Sequence, residues 1–168
     1  MSKSPMVTIL MGSASDLPVM EGASSVLDDL QIPWEMAVRS AHRTPVETMA
    51  TVRAAEKKGV QVIICGAGMA AHLAGVVAAE SLLPVIGVPV GASFDGMDAL
   101  LATVQMPPGV PVATVAVGKA GAKNAAWLAA RILALGDSAV SSRLIAAKEA
   151  QRAKVISDDA KLQVRING

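Results

Sequence analysis

A chain of 168 residues with a net charge of +1 is long enough for one domain with a sizeable core, and it carries no field that would draw nucleic acid or an anionic membrane. Its single cysteine, Cys65, excludes an internal disulfide and points to a reducing cytoplasm rather than a secreted scaffold. The opening Met1-Ser2-Lys3-Ser4-Pro5 runs straight into a strand pattern with no cleavage site, so no signal peptide is expected.

Residues 6–11 are almost continuously apolar and read as a buried strand. A helix is expected over about 16–30 and a second strand over 34–39. The next helix has clear borders at 45–58: Thr44 as cap, Pro45 at the first position, Glu47 to complete a capping box, and Gly59 to stop it. Residues 60–65, rich in Val and Ile, form a third strand. Residues 69–83 read as a helix that is apolar nearly all round and ends before Pro84. His72 and Glu80 interrupt it, which leaves too short a run for a membrane span, so cover by other subunits is the expectation. The segment 60–118 contains no Lys or Arg, which fits that cover. A fourth strand covers 85–90, a short helix 95–104, and a fifth strand 110–117 after the Pro107-Pro108-Gly109 breaker. A helix follows over 120–135, then the Gly136 break and a last helix over 138–154. The final 31 residues carry six Lys or Arg against three acids. This extension, 138–168, is expected to pack on a neighbouring subunit, or else to leave its last dozen residues disordered.

Strands alternating with helices imply crossover units and a parallel sheet covered on both faces. Five such strands in a single domain, 1–168, predict an α/β flavodoxin-like doubly wound fold of order 2-1-3-4-5. In that architecture ligands bind beyond the carboxyl ends of the strands. Three loops should meet there: Gly12-Ser13-Ala14-Ser15-Asp16, Ser40-Ala41-His42-Arg43-Thr44, and Gly66-Ala67-Gly68-Met69-Ala70-Ala71-His72. Small residues allow backbone amides to approach a ligand closely.

Each loop has two readings. Ser13, Ser15 and Asp16 suit a phosphate and vicinal sugar hydroxyls, but Ser-x-Ser-Asp is also an ordinary helix cap. His42 beside Arg43 joins a titratable group to a permanent cation, as a small anionic substrate requires; alternatively both are solvated surface residues. His72 is either a ligand contact or a core histidine bonded to a backbone carbonyl. The third loop fits Gly-x-Gly-x-x-Ala, but it follows the wrong strand for a dinucleotide fingerprint and no acid follows about twenty residues on. No Walker A pattern, no Gly-x-Ser-x-Gly elbow and no convincing set of metal ligands is present, so no metal is expected.

Taken in order, these segments resemble the N5-carboxyaminoimidazole ribonucleotide mutase family. The resemblance rests on the first loop, on Ser40 through Pro45, and on Gly66-Ala67-Gly68 with Ala70-Ala71-His72-Leu73. It continues through Pro84-Val85-Ile86-Gly87-Val88-Pro89-Val90, the run from Asp98 through Val104-Gln105-Met106-Pro107 to Gly109-Val110-Pro111-Val112, and Asn124-Ala125. It covers about residues 6–135 and implies a cytoplasmic isomerase of de novo purine synthesis, without metal or organic cofactor, assembled as an octamer. It further implies His42 as the acid/base. Arg43 and Ser13 would hold the phosphate and Asp16 the ribose, with Ser15 and Ser40 lining the substrate site. Gly68, Ala70, Ala71, His72 and Leu73 would wall a pocket for the migrating carboxyl group. Here Met69 stands where the family has the second of two adjacent glycines, and Ala74 where it has proline. Two rivals remain: a carboxylase that takes free carbon dioxide, and a non-catalytic nucleotide- or flavin-binding module on the same fold.

Overall fold

The computed structural model describes residues 4–91 and 93–167; Met1 to Lys3 of the opening segment and Gly168 of the extension lie outside the described residues. Five parallel strands form one sheet: β1 (Val7–Met11), β2 (Trp34–Val38), β3 (Val62–Gly68), β4 (Val85–Val90) and β5 (Ala113–Thr114). Their order is β2-β1-β3-β4-β5, the flavodoxin-like arrangement expected from the sequence. The helices are α1 (Leu17–Asp29), α2 (Pro45–Lys58), α3 (Leu73–Glu80), α4 (Met97–Val104), α5 (Gly118–Leu133) and α6 (Ser138–Asn167).

Alternation along the central strands divides the core into two layers. Val7, Ile9 and Met11 of β1, with Val62 and Ile64 of β3, meet α1 and α5 on one face. Leu10, Ile63 and Cys65 meet α2 and α3 on the other. Burial pushes the Cys65 thiol far up, so it is an inert core residue. Five alanines of α5 (Ala122, Ala125, Ala126, Ala129 and Ala130) are fully buried; their small side chains let α5 pack closely on α1 and explain a core with almost no aromatic rings.

The borders of α2 fall where Pro45 and Gly59 place them, with Gly59 left-handed at φ +86°. The capping box does not form. Thr44 Oγ1 instead accepts from the Ser40 N–H at 2.9 Å and donates to the Ser40 carbonyl at 3.1 Å, so it closes the preceding loop and not the helix. β3 runs three residues past the expected end, because Gly66, Ala67 and Gly68 pair with Val88, Pro89 and Val90. A Cβ on Gly66 would stand 2.3 Å from the Met20 sulfur of α1, so the buried Met20 side chain would have to shift to admit it. β5 keeps only two residues of the expected eight. It is an edge strand with β4 as its one neighbour, and Pro111 supplies no N–H.

The apolar helix expected over 69–83 shrinks to α3. Met69 turns left-handed before it, and Ser81 is extended after it, its hydroxyl donating to the Glu56 carboxylate. Within one chain the segment is not covered all round: Val76 is exposed and Leu82 fully so. α6 runs far past residue 154, to Asn167, as one helix of 30 residues and about 45 Å. Asp137 Oδ1 caps it by accepting from the N–H groups of Ala139 and Val140. Arg143 Nε donates to the Leu30 carbonyl at 2.6 Å and ties its base to the end of α1. From Lys148 onward every described residue is exposed. Among the described residues no helix is long and apolar enough to cross a membrane.

Candidate functional site

At the carboxyl edge of the sheet the three loops enclose a cavity of about 680 Å³. Its wall takes Gly12, Ser13, Ser15 and Asp16 from the first loop, and Ser40, Ala41, His42 and Arg43 from the second. The third side supplies Ala67, Gly68, Met69, Ala70 and Leu73. Val90 and Gly91, at the end of β4, complete it. These last two were not singled out from the sequence, although strand order alone puts the end of β4 beside β3.

The first loop is held by its own side chains. The Ser13 N–H donates to Asp16 Oδ2 at 3.0 Å, while the Ser15 N–H and hydroxyl donate to Ser13 Oγ at 3.3 and 2.9 Å. The capping reading of Ser-x-Ser-Asp is thus realised, and the same residues face the cavity. Burial raises the Asp16 carboxyl above the ordinary range, opposed by the Ser13 N–H, the Ser15 hydroxyl and the Arg43 charge. A carboxyl with a raised folded-state pKa contributes stability when protonated and loses it as the pH rises through that value. At neutral pH the charged form is therefore a cost. Asp16→Asn keeps an acceptor for the Ser13 N–H and removes the charge. It should raise Tm at pH 7 by about 1–3 °C, a gain that shrinks as the pH falls toward about 4. Thermal melts across that range check it.

In the second loop Arg43 Nη2 donates to the Gly12 carbonyl at 2.8 Å, and its Nε donates to Ser40 Oγ at 3.3 Å. The guanidinium therefore bridges the first two loops while remaining exposed to the cavity. The Arg43 N–H also donates to Ser40 Oγ, at 3.2 Å. Ser40 is the hinge of this loop, accepting at its carbonyl from the N–H of Thr44.

In the third loop Met69 takes φ +56°, a conformation that costs a non-glycine residue about 1–2 kcal/mol. This is the position where the resembling family has glycine. The turn survives the added side chain, which is exposed at the cavity wall. Ala74, in the place of a proline, is buried in the first turn of α3.

Two of the residues expected to wall the pocket are placed differently from the rest. Ala71 is buried and does not line the cavity. His72 is not a core histidine: it is exposed beside the cavity, and its Nδ1 lies 2.8 Å from His42 Nε2. The two rings meet edge to face, with centroids 5.0 Å apart and planes at 89°. No third His, Cys, Asp or Glu joins them in a metal-holding group among the described residues.

A groove of about 780 Å³ between α5 and α6 is somewhat larger, lined by Trp127, Leu128, Leu144, Ile145 and the cations Arg131 and Lys148. It takes one residue from beyond a strand end, Val115 after β5, but no imidazole and no carboxylate. The chemistry is concentrated at the sheet edge, where a cation, hydroxyls, a carboxylate and an imidazole surround a partly apolar hollow.

Comparison with known proteins gives three consistent results. Residues 6–154 match the family model described as AIR carboxylase. The chain is 48% identical over 159 residues to the N5-carboxyaminoimidazole ribonucleotide mutase of Haemophilus influenzae, covering 94% of this chain and 97% of that one. It is 53% identical over 141 residues to the protein of the same name from Pyrococcus abyssi, covering 83% and 80%. The crystal structure of Treponema denticola PurE superposes with a TM-score of 0.85 at 33% identity, covering 94% of this chain and 98% of that one.

Proposed function

This chain belongs to the AIR carboxylase family, and we propose that it is a mutase that converts N5-carboxyaminoimidazole ribonucleotide to 4-carboxy-5-aminoimidazole ribonucleotide in purine biosynthesis. The observation that carries this reading is the cavity that joins His42 and Arg43 to the Ser13–Asp16 loop and to a wall of Ala67, Gly68, Ala70 and Leu73. Relatives named for this reaction are 48–53% identical over most of the chain.

Arg43, Ser13 and the first-loop amides hold the phosphate, the Asp16 carboxylate accepts from the ribose hydroxyls, and Ser15 and Ser40 line the sugar and base. His42 donates a proton to the exocyclic nitrogen. The N–C bond breaks, its electron pair stays on nitrogen, and carbon dioxide is released. Ring carbon 4 is then electron-rich, attacks the carbon dioxide and carries both a hydrogen and the new carboxylate. His42, now neutral, removes that hydrogen as a proton and returns to its starting state. One imidazole donates first and accepts last, so no further acid or base is required. The small apolar wall keeps water few and carbon dioxide close between the two steps.

A second reading has one specific support: the family description names a carboxylase. Purified protein given the N-carboxylated substrate, or else the parent amine with bicarbonate, separates the two. Rapid product from the first is expected; product from the second alone would overturn the mutase reading.

The working assembly is a homo-octamer in the reducing cytoplasm. Support comes from the exposed apolar side chains of α6 (Ile145, Val155, Ile156, Leu162, Val164 and Ile166) and from the uncovered Leu82. Sedimentation velocity at micromolar concentration should show a species many times the 17.1 kDa chain; a stable monomer would contradict this.

A further inference from the structure

We propose that Met69 keeps the released carbon dioxide in the cavity: its thioether chain is the movable apolar cover over the wall where ring carbon 4 recaptures that molecule. The inference rests on the proposed reaction for its chemistry, and on the conformation and exposure of Met69 for its geometry.

The apolar part of the cavity wall is made by Ala67, Gly68, Met69, Ala70, Leu73 and Val90. Most of it is fixed or short. Leu73 and Val90 are buried and held by the packing behind them. Ala67, Gly68 and Ala70 have no side chain long enough to reach over a hollow of about 680 Å³. Met69 differs on both counts. It is 63% exposed, and its unbranched side chain has three rotatable bonds and a polarizable sulfur.

The backbone beneath this side chain is held although the side chain is free. Gly68, the residue before it, pairs with Val90 of β4. After it, the Ala71 N–H donates to the Met69 carbonyl at 2.9 Å and the His72 N–H donates to the Ala70 carbonyl at 2.7 Å. These bonds close the turn with Met69 at φ +56°, where glycine would be free of strain and methionine is not. Core packing does not offset that strain, because Met69 belongs to neither core layer. A strained residue that contributes nothing to the core, yet lines a ligand cavity, points to a use for its side chain there.

That use follows from the intermediate. Carbon dioxide is neutral and small, so neither the Arg43 charge nor a serine hydroxyl grips it. Between cleavage of the N–C bond and attack by carbon 4 it is retained by shape alone. An open mouth lets it exchange with solvent, whereas a flexible apolar chain folded over the mouth closes it without drawing in water. The same flexibility lets the chain swing aside for substrate entry and product release.

Label retention tests this. The substrate carries 13C in its N-carboxyl group, the buffer is rich in unlabelled bicarbonate, and mass spectrometry reads the label in the 4-carboxylated product, with enzyme-free controls for spontaneous decarboxylation. Wild type should return most of the label. Met69→Gly removes the cover and relaxes the turn, and should lose label about three- to tenfold more often per turnover. Met69→Gln keeps the length and the backbone strain but is polar, so it should lose label to a similar degree even if the glycine variant disturbs the turn. Met69→Leu, still apolar, should stay within about twofold of wild type. Retention in Met69→Gly and Met69→Gln equal to wild type, a Met69→Leu that loses label as readily as Met69→Gln, or a wild type that itself exchanges its label fully would overturn the inference while product still forms from the N-carboxylated substrate. No product from that substrate would instead remove the reaction reading itself.

Discussion

Replacing His42 with Asn should lower kcat by about 10²- to 10⁴-fold while the protein still binds its substrate. Among the described residues that line the cavity, His42 is the one imidazole; its charged neighbours there are a carboxylate and a guanidinium. Asn neither donates a proton at a useful pKa nor recovers one. The change touches no packing, because His42 is exposed and lies outside both core layers. The folded state should therefore melt within a degree or two of wild type, about the range for surface substitutions. The phosphate and ribose contacts proposed for Arg43, Ser13 and Asp16 stay in place, so KM should stay within about threefold. Steady-state kinetics with a direct binding measurement separates the two quantities. Turnover within a few-fold of wild type would show that another group moves the proton.

Much of the fold could be read from local chemistry. Pro45 and Gly59 mark the two ends of α2 because each acts on its own backbone: one fixes φ for the first helical turn, and the other takes the left-handed conformation that stops the last. The strand order was legible because buried runs of Val and Ile alternate with helical segments, and parallel crossovers restrict the topology. What local chemistry could not show was set by neighbours. β5 is short because an edge strand pairs on one side only, and β3 is long because its Gly-Ala-Gly stretch finds Val88 to Val90. The Thr44 side chain closes the loop behind it because Ser40 presents both an N–H and a carbonyl to it. The length of α6 does have a signal in the sequence: no Gly or Pro occurs between Ser138 and Gly168, and the Lys154–Asp158 pair, at 2.6 Å and four residues apart, supports the helix.

The site divides in the same way. That three small-residue loops would converge followed from the rule for doubly wound sheets, and Ser13, Ser15, Asp16, Ser40, His42, Arg43, Gly68, Ala70 and Leu73 do share one cavity. The direction of each side chain did not follow. His42 and His72 are separated by 30 residues, and their contact depends on the turn at Met69 to Ala71 that swings the start of α3 toward the second loop. Placing that turn inside the helix would carry His72 elsewhere, which is why both sequence readings of His72 missed a ring-to-ring contact.

Arg43→Ala should do the converse of the His42 change: KM should rise by about 10- to 100-fold, with kcat changed by no more than a few-fold. The guanidinium already spends Nη2 on the Gly12 carbonyl and Nε on Ser40 Oγ, so it is oriented before any ligand arrives. Its remaining N–H groups and its full charge are exposed to the cavity, and a charge-assisted hydrogen bond to an anion contributes about 1.5–3 kcal/mol. An interaction with a phosphate remote from the reacting atoms is the same in ground and transition states, so its loss falls on KM. Arg43→Lys should recover only part of the loss, because one ammonium cannot reach Gly12, Ser40 and the ligand from the three directions that the fork covers. A second effect follows from the Asp16 carboxyl, whose raised pKa is held down in part by the Arg43 charge. Without that cation the Asp16 pKa should climb further, and the acid limb of substrate binding should move to higher pH in Arg43→Ala but not in Arg43→Lys. A drop in kcat equal to the drop in kcat/KM would place the guanidinium at the reacting carboxyl group instead of the phosphate, and would exchange the two ends of the substrate in the cavity.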